Sequence, residues 1–439
     1  MATLSLPIET KSREFDGKLW LAINLAQEGH EVAFGDKAHI RPHLTKSLNP
    51  DVHIVNNHFW SSKKLEIMRS LSEANATIVG LDTEGGVFPS EESFLSRVSS
   101  ESLQHTDLIF AWGELPAELI RTERSYPREQ IHVTGNPRFD LLHSDLRGIY
   151  ETPADEISDE HGQFVLINTN FPSVNYYDDS LSVQADENFE YQRRLLDELL
   201  ESIRSLSTEL SEHSIIIRPH PSEDYDFYRT EFKNDRSITI EHSGDVRGWI
   251  YASDCVIHNS CTTGIESTML NVPTVSFEPN IEGTAANRPQ LPNDVSTTVT
   301  TEDELIDQVK TYVSRSTRYE LSKTKEAKLR QYFANVNEQA APKIASAVNQ
   351  IDGVVGETSF PKPGYWRRVK QTVKEQPIAP YIQEIRGVER SGYRKQKFPG
   401  LSIHEVRSRL RDIEQQVGIA DLEVRRVNYT DDVYWIAKQ

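Results

Sequence analysis

The chain has 439 residues, 37% of them hydrophobic, and a formal charge of −19. That length accommodates two domains of roughly 100–200 residues each with appendages, and the acidic balance argues against a general nucleic-acid binder, which needs a basic face. No apolar run approaches the ~20 residues that span a bilayer, the first residues lack the apolar core of a secretory signal, and Cys255 and Cys261 alone make no disulfide framework, so a reducing cytoplasm is expected.

Residues 4–8 read as a first strand, followed by a polar loop at 9–16. A helix with Leu19, Ile23 and Ala26 on one face then stops at Gly29, and 31–35 reads as a second strand. This opening marks a doubly wound α/β domain. No G-x-G-x-x-G follows the first strand, so no dinucleotide cofactor is expected. The 9–16 loop lies where open α/β sheets bind ligands, which makes Glu9, Ser12 and Arg13 candidates for holding an acceptor.

Further strands are expected at 52–55, 77–81, 108–112 and 131–134. The second of these runs into Asp82-Thr83-Glu84-Gly85-Gly86. Two carboxylates at a strand's carboxyl end suit a general base, which makes Asp82 and Glu84 catalytic candidates. An Asx-type turn with glycine reads the same residues without chemistry. The GNPRFD run at 135–140 closes the first half, and the acidic stretch 151–162 reads as a linker.

A second βα series begins with a strand at 164–169 and an amphipathic helix at 192–212. The strand of Ile215, Ile216 and Ile217 ends in Arg218-Pro219-His220-Pro221-Ser222-Glu223. Prolines restrict the backbone there, and Arg218 and His220 are apt for phosphate oxygens. Residues 246–252 read as a short helix entering the buried strand Cys255-Val256-Ile257, which stops in His258-Asn259-Ser260-Cys261-Thr262-Thr263-Gly264. A helix and the strand 274–277 follow. A helix N-terminus carries unpaired N–H donors and partial positive charge, so Ser260, Thr262 and Thr263 together fit a phosphate site. Simple capping of the helix by a hydroxyl is the plainer alternative. After a loop-rich 284–300, amphipathic helices are expected at 302–315, 319–336 and 402–417, and a small β element at 422–435.

The charge is unevenly distributed. Residues 361–398 carry ten Lys and Arg against three Glu, interleaved with Tyr365, Trp366, Tyr381, Tyr393 and Phe398. Such a stretch suits an anionic membrane surface or a phosphate-bearing acceptor, or lies as a basic strap across an acidic protein. The expected organisation is α/β: a Rossmann-like acceptor domain at 1–150, a Rossmann-like nucleotide-sugar domain at 163–345, and a basic, partly helical extension at 346–439.

The strings LPIETKSREFDGKLWLA, DTEGG, VTGNPRFDLL, RPHPSE, DCVIHNSCTTGIEST and RKQKFPGLS fall in order along nearly the whole chain. In them the chain resembles the surface carbohydrate biosynthesis proteins, a group of GT-B glycosyltransferases, which implies two Rossmann-like domains facing a cleft. It is also similar to bacterial sialyl-, polysialyl- and Kdo-transferases, which share an acidic motif ending in Gly, a His-Pro motif and a Ser-Ser/Thr motif. That resemblance implies Glu84, with Asp82 near it, as the base. It also implies His220 and Pro221, with Ser260, Thr262 and Thr263, as contacts of a CMP phosphate. The chain departs from the pattern at Thr83, between the carboxylates, and at Cys261, after Ser260.

These readings converge on a metal-free, cofactor-free glycosyltransferase, cytoplasmic and peripheral to the membrane. It would take a nucleotide sugar, such as a CMP-activated acidic sugar, to a surface glycan or lipid-linked precursor. Arg218 and His220 would hold the phosphate, and Glu266 would reach the ribose. The alternatives are a UDP-N-acetylglucosamine 2-epimerase, a glycerol- or ribitol-phosphate transferase, and a non-catalytic scaffold for glycan assembly.

Overall fold

The computed structural model describes residues 1–176, 187–281, 288–314, 319–351, 396–419, 421–427, 430 and 432–439. The chain divides into two compact units. Unit 1 comprises 1–85, 95–140 and 338–439, and unit 2 comprises 86–94 and 141–337.

Unit 1 is built on β1 (Thr3–Ile8), β2 (Glu31–Asp36), β3 (Val52–Val55), β4 (Thr77–Gly80), β5 (Leu108–Ala111) and β6 (Ile131–Val133). These lie parallel in the order β2-β1-β3-β4-β5-β6. Their near-continuous apolar runs are those of strands buried on both faces. The helix Lys11–Gln27 returns from β1 with Leu19, Leu21, Ile23 and Leu25 fully buried.

Unit 2 holds β7 (Phe164–Asn168), β8 (Ser214–Arg218), β9 (Ile238–Ile240), β10 (Cys255–His258), β11 (Thr274–Phe277) and β12 (Thr297–Val299), parallel in the order β12-β11-β10-β7-β8-β9. The long helix Glu187–Glu209 covers this sheet, its Leu195, Leu199 and Ile203 sharing a core with Ile215, Ile217 and Ile257.

Three expectations are corrected. The 151–162 stretch is not a linker but the helix Glu151–His161, which packs on the helix Val246–Ala252. Only Ala154 is buried among its residues, so its apolar periodicity is faint. Within the region expected to be loop, Leu291–Val295 forms a short helix and β12 an edge strand. The segment after 346 is not a separate extension in its described part. The strands β13 (Leu422–Arg426) and β14 (Val433–Lys438) form a hairpin, and β14 adds antiparallel to β2. Gly35 permits that approach: its φ is +146°, and a Cβ there would lie 2.0 Å from the Asp432 carbonyl oxygen. The helix Ile403–Val417 is fastened to the first helix by Arg409, bidentate on Asp16 at 3.0 and 2.6 Å, and by Lys11 on Glu405 at 2.8 Å.

Residues 352–395 lie outside the described residues, and with them most of the 361–398 basic stretch. Of its end, Phe398 is buried and Lys397 lies 3.9 Å from Glu9. Among the described residues, no helix is long and apolar enough to cross a membrane.

Candidate functional site

In unit 1 the candidate residues gather at the carboxyl edge of the sheet. The Asp82 turn follows β4, and its backbone carbonyl is fixed from two sides, by the indole N–H of Trp112 at 2.6 Å and the amide of Asn136 at 3.2 Å. GNPRFD therefore acts as a brace for this turn. Asp82 is buried and its Oδ1 accepts the Glu84 N–H at 2.8 Å, an Asx turn, and a guanidinium N–H of Arg97 at 3.1 Å. Burial raises its pKa despite Arg97. Glu84, by contrast, is exposed, with 46% of its side chain accessible. Arg13 reaches one carboxylate oxygen at 2.6 Å and Arg97 the other at 3.1 Å. The two candidate bases thus separate: Asp82 shapes the turn, and Glu84 is the one solvent can reach.

Beneath Arg13 lies a buried ion pair. Glu14 accepts the N–H groups of Glu9 and Thr10 and meets Lys18 Nζ at 2.9 Å. Burial pushes the Glu14 carboxyl up, but Lys18 and Arg13 outweigh it and hold its pKa at about 2. Lys18 also donates to the Pro7 carbonyl and, at 2.7 Å, to Asn56. Glu14, Lys18, Thr83, Asn136 and Arg138 line a shallow pocket beside the turn. Of the acceptor candidates, Ser12 and Arg13 sit half-buried in the helix's first turn. Glu9 is engaged by Lys37 at 2.6 Å.

In unit 2 the sheet register aligns Asn168, Arg218 and His258 at the ends of β7, β8 and β10. Two of the expected phosphate ligands are turned inward. Arg218 donates to the carbonyls of Ser243 at 2.8 Å, Gly244 at 3.2 Å and His242 at 3.5 Å, and lies over the Trp249 ring. It ties the loop after β9 to β8. Ser260, at φ +55° and buried, donates to Glu278 at 3.2 Å and accepts from Asn293 at 2.9 Å. Glu266 is likewise corrected from a ribose ligand: it is fully buried, its carboxylate 3.7 Å from the equally buried Arg247. Arg247 also meets Asp245 at 2.8 Å, so the buried guanidinium is set between two carboxylates.

What remains presented is narrower. The helix Thr262–Met269 has Cys261 as its N-cap with no side-chain cap bond, so the hydroxyls do not cap it. Among the described residues, the N–H groups of Thr262 and Thr263 have no acceptor, nor has the Thr263 hydroxyl a partner. The first turn is set close to β10 by Gly264, where a Cβ would fall 2.3 Å from the His258 ring. His258 accepts the Cys261 N–H on Nδ1 at 3.3 Å, and its Nε2 is 2.8 Å from the Ser296 hydroxyl. Burial, with Arg288 nearby, lowers its pKa to about 3, so it is neutral and structural.

His220 and Pro221 are half-buried at the mouth of the loop after β8. That loop is organised by Glu223, which sequence reasoning passed over. Fully buried, it accepts from the His220 N–H at 3.0 Å, the Phe171 N–H at 3.1 Å, the Thr169 hydroxyl at 3.0 Å and the Tyr228 hydroxyl at 2.5 Å. His220 Nδ1 accepts the Ser222 N–H at 3.2 Å, which directs Nε2 as the donor of the neutral ring. Asn259, also unassigned by motif, is buried with its Oδ1 unpartnered among the described residues.

No protein-family model and no curated protein sequence matches the chain. Solved structures do. The UDP-GlcNAc 2-epimerase of Methanocaldococcus jannaschii, in complex with UDP-GlcNAc and UDP, aligns at TM-score 0.53 and 14% identity, over 80% of this chain and 100% of that one. The MnaA–UDP structure from S. aureus aligns at 0.52 and 14%, over 83% and 100%. The chain has the GT-B fold. The wall teichoic acid polymerase TagF, as its H548A variant, aligns at 0.50 and 13%, over 79% and 88%. At these identities the GT-B likeness speaks for the fold that the sequence resemblances imply, and does not extend to the sialyl-, polysialyl- and Kdo-transferases in particular.

Proposed function

We propose that the chain is a glycosyltransferase that moves a sugar from a nucleotide donor to a surface glycan or its lipid-linked precursor. The observation that carries this reading is Glu84, an exposed carboxylate held from both sides by Arg13 and Arg97 at the end of β4. The acceptor hydroxyl oxygen attacks the anomeric carbon and gives its proton to Glu84. The bond from that carbon to the donor phosphate breaks, and its electron pair leaves with the nucleotide. In unit 2 the N–H groups of Thr262 and Thr263, the Thr263 hydroxyl and His220 receive the departing phosphate, a role that calls on no metal or cofactor. The similar structures bound to UDP put UDP-sugars beside the CMP-activated acidic sugars implied by resemblance.

A second reading, nucleotide-sugar epimerisation, draws support from the UDP-GlcNAc 2-epimerases among the similar structures. The two differ in product. A transferase liberates nucleotide in proportion to acceptor glycosylated, whereas an epimerase returns an isomeric nucleotide sugar and releases none at equilibrium. Purified protein incubated with UDP- and CMP-sugars, with chromatography of nucleotides and sugars, separates them. Isomerised donor without acceptor dependence would overturn the transferase reading. Loss of nucleotide release in Glu84→Gln, with nucleotide-induced thermal stabilisation retained, supports it.

A further inference from the structure

Unit 1 holds a second concavity at the carboxyl ends of β1 and β3, open to solvent, with a cavity volume of about 60 Å³. It is lined by Pro7, Lys37, Arg41, His53, Asn56 and Lys64, with apolar side chains at its base. Its cations are poorly compensated. Lys37 pairs with Glu9 at 2.6 Å. Among the described residues, Lys64 Nζ bonds only neutral oxygens, the Asn57 carbonyl, its Oδ1 at 3.0 Å and the Phe59 carbonyl at 3.4 Å. Arg41 makes no hydrogen bond or ion pair with a described residue. Asn56, only 4% exposed, gives its Oδ1 to Lys18 and leaves its Nδ2 without an acceptor among the described residues. His53 is neutral, its pKa brought to about 3 by burial and the surrounding cations.

We propose that this pocket is an anion subsite that takes a phosphate ester of the acceptor. The inference deepens the transferase reading and rests on it for the word acceptor. Three cations against one paired carboxylate match a dianion, and the unpartnered Asn56 amide supplies a donor for one of its oxygens. The pocket adjoins the base through Asn56, Lys18 and Glu14, the last lining the pocket beside Thr83. Next to Lys64, Phe59 and Trp60 stand exposed at 42% and 62%, a surface for the apolar or sugar portion of the same molecule. Burial first, then repulsion from Lys37 and Arg41, lowers the Lys64 pKa to about 7, against attraction from Asp82 and Glu9; His58 nearby is neutral. A bound dianion restores the charge on Lys64.

An amine at half-protonation acylates near pH 7 far faster than an ordinary lysine, less than about one in a thousand of which is deprotonated there. The test is the rate of Lys64 acylation in the full chain, mapped by peptide mass spectrometry, with exposed Lys63 as internal control. Inorganic phosphate and sulfate should slow Lys64 several-fold and leave Lys63 unchanged. Sulfate keeps its charge across neutral pH, so its protection should fade as pH rises above 7. In Arg41→Gln the anion concentration for half-protection should rise about tenfold, with the melting temperature unchanged. A glycosyl 1-phosphate and a detergent-dispersed polyprenyl phosphate identify the source: tighter protection by the lipid assigns a lipid-borne phosphate, and equal protection a soluble one. Lys64 labelling at an unaltered rate with all four anions overturns the subsite. Because protection requires neither nucleotide nor turnover, its failure is distinct from failure of Glu84→Gln to lose activity.

Discussion

The two sheet edges use polar residues in opposite ways. In unit 2 the acids and Arg218 that end the strands hold loops in place: Glu223 gathers four donors, Glu278 holds Ser260, and Arg218 clasps three carbonyls. What faces outward is backbone N–H and an imidazole. In unit 1 charged side chains themselves remain at the surface, with Glu84 between two arginines and Lys37, Arg41 and Lys64 around a pocket. A phosphate can be bound by a well-built loop of neutral groups, whereas removing a proton needs a carboxylate that can be reached.

Substitutions can break this contrast. Glu84→Gln should cost turnover at least about 100-fold, the range for loss of a positioned base, while its urea-unfolding midpoint stays near that of the parent; activity within a few-fold would return the residue to a structural role. Glu223→Ala should act on stability, removing about 3 kcal/mol by leaving buried N–H groups unpaired, as read by urea denaturation. Gly264→Ala, which drives a methyl into the His258 ring, should destabilise by about 1–3 kcal/mol and weaken nucleotide binding together with it.

Acid sensitivity sharpens the comparison further, since each unit buries neutral histidines. His58 is buried with neither ring nitrogen bonded among the described residues, and burial lowers its pKa to about 3, as it does for His258. A folded-state pKa below the unfolded value of about 6.5 gives stability that is complete above pH 6.5 and lost as pH falls toward 3. The slope is at most about 1.4 kcal/mol per pH unit for each histidine. His58→Leu should flatten the dependence of stability on pH between 6.5 and 4.5; an unchanged slope would show that His58 is not neutral when folded. The smallest effect is expected at Arg218→Lys, which should lower the melting temperature and leave nucleotide affinity within about twofold, because the guanidinium faces carbonyls. A large loss of affinity would put Arg218 back at the phosphate.

Much of the architecture was legible in the pattern of residues. Apolar runs such as Ile215–Ile217 and Cys255–Ile257, short, β-branched and followed by polar turns, fit strands buried on both faces, and the turns after them bracket the site. Glu84 and the helix at Thr262 were legible for the same reason, as polar residues at the ends of such runs. The fates of Ser260, Arg218 and Glu266 were not. Residue type says that a group can bind phosphate or ribose, but whether its side chain turns into the loop depends on distant partners such as Glu278, Ser243 and Arg247. Nor does the composition of Glu151–His161, rich in acids, show that Ala154 and the His161 ring, set against Trp249 and Phe164, seat it.

The pairing of β14 with β2 sets Val433 opposite Gly35, and so imposes an order on biosynthesis. While the ribosome makes the intervening residues, at about 5–20 per second, the free edge of β2 is uncovered for tens of seconds. An unprotected strand edge is a template for pairing with a neighbouring chain. Nascent protein truncated just before residue 433 is therefore the species in which association and chaperone capture should concentrate, and the emergence of β14 is the event that ends the exposure.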